Sequence, residues 1–169
     1  MSPSCLWRLF VCWERRFLDV GHSTVGVTGD KPLQFFVYGT LKSDQCRRLC
    51  WPEKPLEVRI AWTYGTLFDL GEYPALIEGH TPVWGEVWSF LPTQLECVFR
   101  AIDSIECYVP GGDDNLYERV IAPIQIQHPN ELQASESEFA WMYRYCHDLS
   151  DERQASKVVR NGIRGYHWP

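Results

Sequence analysis

No stretch of this 169-residue chain approaches the roughly 18 uncharged apolar residues that a membrane-spanning helix needs, so no membrane partner is expected. Cations are also short. Sixteen Lys and Arg stand against 22 Asp and Glu, a formal charge of −6, and a nucleic-acid binder needs the opposite field. Metal-ligand spacings are missing: there is no CxxC, HxxxH or HExxH, and the five histidines are scattered. The cysteines (Cys5, Cys12, Cys46, Cys50, Cys97, Cys107 and Cys146) are odd in number, irregular in spacing and accompanied by no convincing secretory signal. A disulfide framework is therefore not expected, and the reading is of reduced thiols in a cytoplasmic protein with no metal. GxSxG, the P-loop, and GxGxxG after a strand are absent as well, which removes the common signatures of nucleophilic hydrolases and nucleotide binders.

Aromatic residues are plentiful. Eight Trp, eight Tyr and eight Phe make 14% of the chain, within a hydrophobic fraction of 45% and a charged fraction of 22%. These proportions belong to a globular chain with enough large side chains to build one core. The core-forming pattern begins near Leu33, and residues 33–169 read as a single domain. Residues 1–31 read as a poorly ordered extension: the run from Leu6 to Leu18 is interrupted by Arg8, Glu14, Arg15 and Arg16, and a Gly/Ser/Thr-rich stretch follows.

Within the domain, β-branched and aromatic runs predict strands over Gln34–Tyr38, Glu57–Leu70, Val83–Phe90, Tyr117–Gln127 and Phe139–Cys146. Pro123 marks an edge or a bulge in its run. In the last run Phe139, Trp141, Tyr143 and Tyr145 share a face by the period of two. One amphipathic helix is predicted from about Gln94 to Ile105, with Leu95, Val98, Phe99, Ile102 and Ile105 on one side and Thr93 and Glu96 as a capping box. Strands outnumber helices and follow one another. The fold class is therefore α+β, a compact, mostly antiparallel sheet or small barrel carrying a helix.

Two features bear on chemistry. Tyr-Gly-Thr-Leu occurs at 38–41 and again at 64–67. The second copy lies inside a strand pattern, whereas the first ends a strand and opens into polar Lys42, Ser43 and Asp44. A glycine at such a junction makes either an ordinary turn or a cradle of N–H groups for an anion, and the residues alone leave both open. Glu106 falls at the helix C-terminus, three residues after Asp103. The helix dipole and a like charge would both raise its proton affinity, which suits a general base, while a solvated glutamate at a frayed end is the other reading.

The run Phe36-Val37-Tyr38-Gly39-Thr40-Leu41-Lys42 resembles the signature loop of the γ-glutamylcyclotransferase-like superfamily, which includes plant avirulence-induced and bacterial homologues. Further segments come in family order: Gly65–Leu76, Val83–Trp88, Ile102–Glu106, Leu116–Arg119 and Ala140–Tyr143. The resemblance covers residues 33–169. It implies a small mixed β-barrel with flanking helices, an amide loop at Tyr38, Gly39, Thr40 and Leu41 that binds the amino-acid end of a γ-glutamyl group, and Glu106 as the catalytic glutamate. Tyr117, Arg119 and Tyr143 are further expected pocket residues. The chain departs from the family pattern at Cys107, where glycine is common after the glutamate, at Ala101-Ile102-Asp103, and in a longer Val109–Asn115 segment.

The implied reaction needs no cofactor. A small-molecule γ-glutamyl amine, amino acid or peptide would lose its amine as its own α-amine closes a lactam, 5-oxoproline, with one carboxylate moving the protons. The alternative is a catalytically silent member of the same fold that binds a small acidic ligand. Nothing in the residues specifies the leaving group or an oligomeric state.

Overall fold

The computed structural model describes residues 31–127, 137–149, 153–160 and 162–169. Apart from Lys31, the extension expected over residues 1–31 lies outside the described residues, as does His128. The elements run β1 (Gln34–Val37), β2 (Glu57–Asp69), β3 (Pro74–Ser89), α1 (Leu95–Ile105), β4 (Tyr117–Ile126), β5 (Ser137–Tyr145), β6 (Lys157–Arg160) and β7 (Ile163–Tyr166).

The α+β barrel expected from the sequence is what forms. The strands take the order β1-β5-β4-β2-β3-β7-β6, and a further β1–β3 pairing closes the first five into a barrel. Closure removes the open edges that an isolated sheet would expose. The pairings are antiparallel except for β1–β5 and β3–β7, which are parallel, so the barrel is mixed. The β2–β4 ladder spans only Ala61↔Ile126 and Trp62↔Gln125. Pro123 lies beyond its end, and its carbonyl accepts the Thr63 hydroxyl at 2.8 Å, which fits a residue with no N–H to give.

Two apolar clusters result. The first takes Phe36, Ala61, Leu67, Val83, Ile124 and Met142 from the five barrel strands and fills the barrel. The second lies outside, where Val98 and Ile102 of α1 meet Phe35, Trp88, Phe90, Tyr117 and Tyr143. The aromatic face of β5 thus turns outward to the helix, and the smaller Ala140 and Met142 face the interior, where less room remains. Leu95, Phe99 and Ile105 complete the helix's apolar side, as its spacing predicts.

The helix begins differently from the expectation. A 3-10 turn over Pro92–Gln94 leads into it, and no side chain caps Leu95–Ile105. Glu96 accepts from Arg100 one turn on at 2.9 Å instead of reaching back, so the Thr93/Glu96 box does not form. Gln94 takes over part of the task, its Oε1 accepting the Leu91 N–H at 2.9 Å. β3 also starts nine residues earlier than the predicted Val83. Its first half pairs with β2 through a register shift at Gly65/Thr66, opposite the irregular stretch Ile77–Thr81.

Candidate active site

The first Tyr-Gly-Thr-Leu copy leaves the barrel at the end of β1. Gly39 is required there by a close approach: a Cβ at this position would lie 2.4 Å from Cγ of Pro74, the first residue of β3. Pro74 is held in turn by its carbonyl, which accepts the buried Tyr117 hydroxyl at 2.7 Å. The loop then folds tightly, with the Lys42 N–H on Gly39 O at 3.1 Å and the Arg47 N–H on Thr40 O at 2.9 Å. Glu86 of β3 accepts both the N–H and the hydroxyl of Ser43, at 2.8 and 2.6 Å, and Trp51 Nε1 donates to Leu41 O at 3.1 Å. Buried Lys42 donates to Trp168 O at 2.9 Å, tying the loop to the segment after β7.

Pinned in this way, Gly39, Thr40 and Leu41 are buried, yet their N–H groups donate to no acceptor among the described residues. Buried amides are normally satisfied, because an unmade bond costs about 1–3 kcal/mol. Three such donors in sequence make a site for a carboxylate-like group.

These residues line one wall of an open cleft. Glu106, Tyr117 and Tyr143 line it too, together with Arg47, Tyr73, Pro74, Ile105, Cys107 and Leu116. Glu106 occupies the C-cap of α1, its N–H on Ile102 O at 2.9 Å, and its half-buried carboxyl opens on the cleft. Burial pushes that carboxyl up to about 7, against a smaller downward pull from Arg47. The direction agrees with the sequence reading and the cause does not. Asp103 is engaged elsewhere, accepting two bonds from Arg119 Nη1 at 2.8 and 2.7 Å and the Tyr143 hydroxyl at 2.5 Å. Desolvation rather than the like charge raises Glu106.

The sequence-derived residues therefore converge, with one exception. Tyr38, Gly39, Thr40, Leu41, Glu106, Tyr117 and Tyr143 share the cleft, and Arg119 does not line it. Arg119 lies behind, over the rings of Phe99, Tyr108 and Trp141 at 4.2, 5.2 and 5.4 Å, where it fixes Asp103 and through it Tyr143. Three tyrosine hydroxyls in the wall have protein acceptors: Tyr38 on Tyr143 O and Tyr117 on Pro74 O, both at 2.7 Å, and Tyr143 on Asp103. They shape the cleft with their rings. Sequence reasoning missed Arg47, which sits in a loop with no periodicity to single it out. It also singled out neither Tyr73 nor Pro74, although both lie in the segment that carries the resemblance. Among the described residues no group of three or more His, Cys, Asp or Glu is arranged to hold a metal ion, and no helix is long and apolar enough to cross a membrane.

Residues 35–167 match the family described as "Gamma-glutamyl cyclotransferase, AIG2-like". Over 139 residues the chain is 31% identical to the gamma-L-glutamyl-butirosin B gamma-glutamyl cyclotransferase of Niallia circulans, covering 76% of this chain and 80% of that protein. Among solved structures, an AIG2-like protein from Mus musculus is 24% identical, with a TM-score of 0.49, over 66% of this chain and 76% of that one. A solution structure from Arabidopsis thaliana is 20% identical, with a TM-score of 0.46, over 70% and 66% of the two chains.

Proposed function

The chain belongs to the gamma-glutamyl cyclotransferase, AIG2-like family, and on that premise we propose that it converts γ-glutamyl compounds to 5-oxoproline and a free amine, with Glu106 as general base and acid. The observation that supports this most is the meeting, in one cleft, of Glu106 and the amides of Gly39, Thr40 and Leu41, which find no acceptor among the described residues. The relative's name puts the γ-glutamyl bond on butirosin B, so what carries over to this chain is the γ-glutamyl half that any substrate would share.

In this reading the amides hold the α-carboxylate by charge-assisted bonds and leave the α-ammonium beside Glu106. The carboxylate takes a proton from the ammonium, and the freed amine attacks the γ-carbonyl carbon. A ring C–N bond forms and the bond to the leaving nitrogen breaks. Both protons given up by the ring nitrogen end on the released ammonium, and Glu106 carries them one at a time. Nucleophile and electrophile are tethered, so no enzyme nucleophile is required. The raised proton affinity matters for the rate. An ordinary glutamate lies about 3.5 units below an α-amine, or about 5 kcal/mol, and a carboxyl near 7 closes most of that gap.

The test is direct measurement of 5-oxoproline from a panel of γ-glutamyl amines, amino acids and peptides. Turnover is expected, falling as pH drops through about 7 because the protonated acid cannot accept the ammonium proton. Glu106→Gln is expected to lose about 10³-fold in kcat while still binding the substrate. An N-acetylated γ-glutamyl compound keeps the scissile amide and lacks the nucleophile, so its cleavage at a comparable rate would overturn the mechanism, as would free glutamate as product.

A further inference from the structure

Arg47 is the one cation, and Glu106 the one carboxylate, among the residues that line the cleft. Arg47 comes from the loop that carries the amides. Its N–H is held by Thr40 O and its own carbonyl accepts the Cys50 N–H, both at 2.9 Å, so the backbone from which the side chain springs is fixed. One nitrogen of the head is not satisfied. Nε is buried and donates to no acceptor among the described residues, and no described carboxylate makes an ion pair with the guanidinium. A neighbouring arginine shows the ordinary alternative: Arg48 is exposed and turns its Nη1 to Gln45 O.

Charge matching then singles out the missing partner. A γ-glutamyl group brings one ammonium and one α-carboxylate. If the reading above holds, Glu106 faces the ammonium and the Gly39–Leu41 amides take the α-carboxylate. Arg47 is left over, a half-buried cation close enough to Glu106 for its charge to be felt there. A buried Nε with an unmade bond is costly to leave so, and the planar fork of a guanidinium fits a carboxylate closely.

We propose that Arg47 is a specificity residue for the leaving group: it binds a second carboxylate, one borne by the amine that departs, so that the preferred substrates are γ-glutamyl amino acids or peptides rather than simple γ-glutamyl amines. The proposal rests on the γ-glutamyl reading of the cleft. A neutral leaving group would enter the same cleft and leave the guanidinium unpaired, and sites built around a polar contact reject analogues that lack it.

The test compares γ-glutamylglycine with γ-glutamylglycinamide, which differ only in a terminal carboxylate against a carboxamide. The wild-type protein is expected to favour γ-glutamylglycine at least about tenfold in kcat/KM. In Arg47→Gln the ratio should fall to within about twofold of one, and Arg47→Lys, which keeps the charge and loses the fork, should fall between. An unchanged ratio in Arg47→Gln overturns the proposal. So does an equal loss on both substrates, which would assign Arg47 to the α-carboxylate or to Glu106. Calorimetric binding of the same pair separates the two levels of the reading. A carboxylate preference in binding that Arg47→Gln abolishes, without 5-oxoproline from any compound, sustains the role of Arg47 and removes the activity. Turnover without any preference does the reverse.

Discussion

Tyr38–Leu41 and Tyr64–Leu67 have the same four side chains and different surroundings. Tyr38 is 6% exposed and its hydroxyl donates to Tyr143 O, whereas Tyr64 is 58% exposed. Leu41 packs in the outer cluster beneath α1, and Leu67 packs inside the barrel. Gly65, Thr66 and Leu67 pair with β3 and take their place in a ladder. Gly39, Thr40 and Leu41 lie past the end of β1, and their amides face no protein acceptor among the described residues. The difference comes from the residues downstream of each copy. Alternation continues after Leu67 through Phe68 and Asp69, so the strand goes on. After Leu41, Lys42 is drawn to Trp168 O and Ser43 to Glu86, which turns the chain away from the sheet. A tetrapeptide does not make a site. The tertiary contacts that withhold its backbone from a ladder do.

The sharpest way to break this contrast is to add one methyl group to each copy. A Cβ on Gly39 meets the Pro74 ring at 2.4 Å, and that rigid ring cannot step aside while the Pro74 carbonyl is held by the Tyr117 hydroxyl. A Cβ on Gly65 meets Cδ1 of Leu76 at 2.5 Å, the movable end of a side chain, and Ile77 O at 2.9 Å. Gly39→Ala should displace the amides and cost about 100-fold or more in kcat/KM, since a shift of about 1 Å is enough for that. Gly65→Ala should cost about 1–3 kcal/mol of stability by overpacking, with kcat/KM held within about twofold. Denaturant melts beside 5-oxoproline assays measure both. Equal catalytic losses would mean that the first copy has no special part.

The same contrast shows what could be read before the fold was known. β1, β2, β4 and β5 are visible as aromatic and β-branched runs, because each buries side chains along its length. The first half of β3 is hidden by Pro74, Gly79, His80 and Pro82, whose irregularity the register shift at Gly65/Thr66 absorbs, and no local pattern announces a long-range pairing of that kind. β6 and β7, four residues each, are too short to show a period. In the site, Glu106 is legible from the end of the helix, and its raised proton affinity is legible in direction. The cause is not legible, because nothing local says that Asp103 will turn to Arg119 and Tyr143. Arg47 and the exclusion of Arg119 are likewise tertiary facts: one arginine meets the cleft and the other meets an aspartate under three aromatic rings.

A second prediction uses the carboxyl that faces only the first copy. Glu106 lies near 7 in the folded protein against 4.5 for an ordinary glutamate, so folding favours its protonated form. Its contribution is intact below about pH 4.5 and is lost as pH rises through about 7. Glutamine stays neutral throughout. Glu106→Gln should therefore be more stable than the wild-type protein at pH 8, by about 1–3 kcal/mol given that the carboxyl opens on the cleft, and the gap should close on going down to about pH 4.5. Thermal melts across that range measure it. A difference independent of pH would show that the carboxyl is not desolvated, and the match to an α-amine would lose its physical basis.

The smallest effect separates the two tyrosines. Burial, and after it the charge of Glu106, pushes the Tyr38 phenol well above its ordinary range, so it remains a donor at every pH where the protein folds. Its bond to Tyr143 O, at 2.7 Å, joins the start of the amide loop to β5 and satisfies a buried carbonyl. Tyr38→Phe keeps the ring and leaves that carbonyl without its partner, at a cost of about 1–2 kcal/mol. The same change at Tyr64, whose side chain is 58% exposed, removes a hydroxyl that water already serves, and should stay within about 0.5 kcal/mol. Because the Tyr38 ring lines the cleft and is retained, its variant should lose more stability than turnover, with kcat/KM down less than about tenfold. Paired urea melts decide the point: matching losses for Tyr38→Phe and Tyr64→Phe would mean that the Tyr143 bond contributes nothing to holding the first copy out of the sheet.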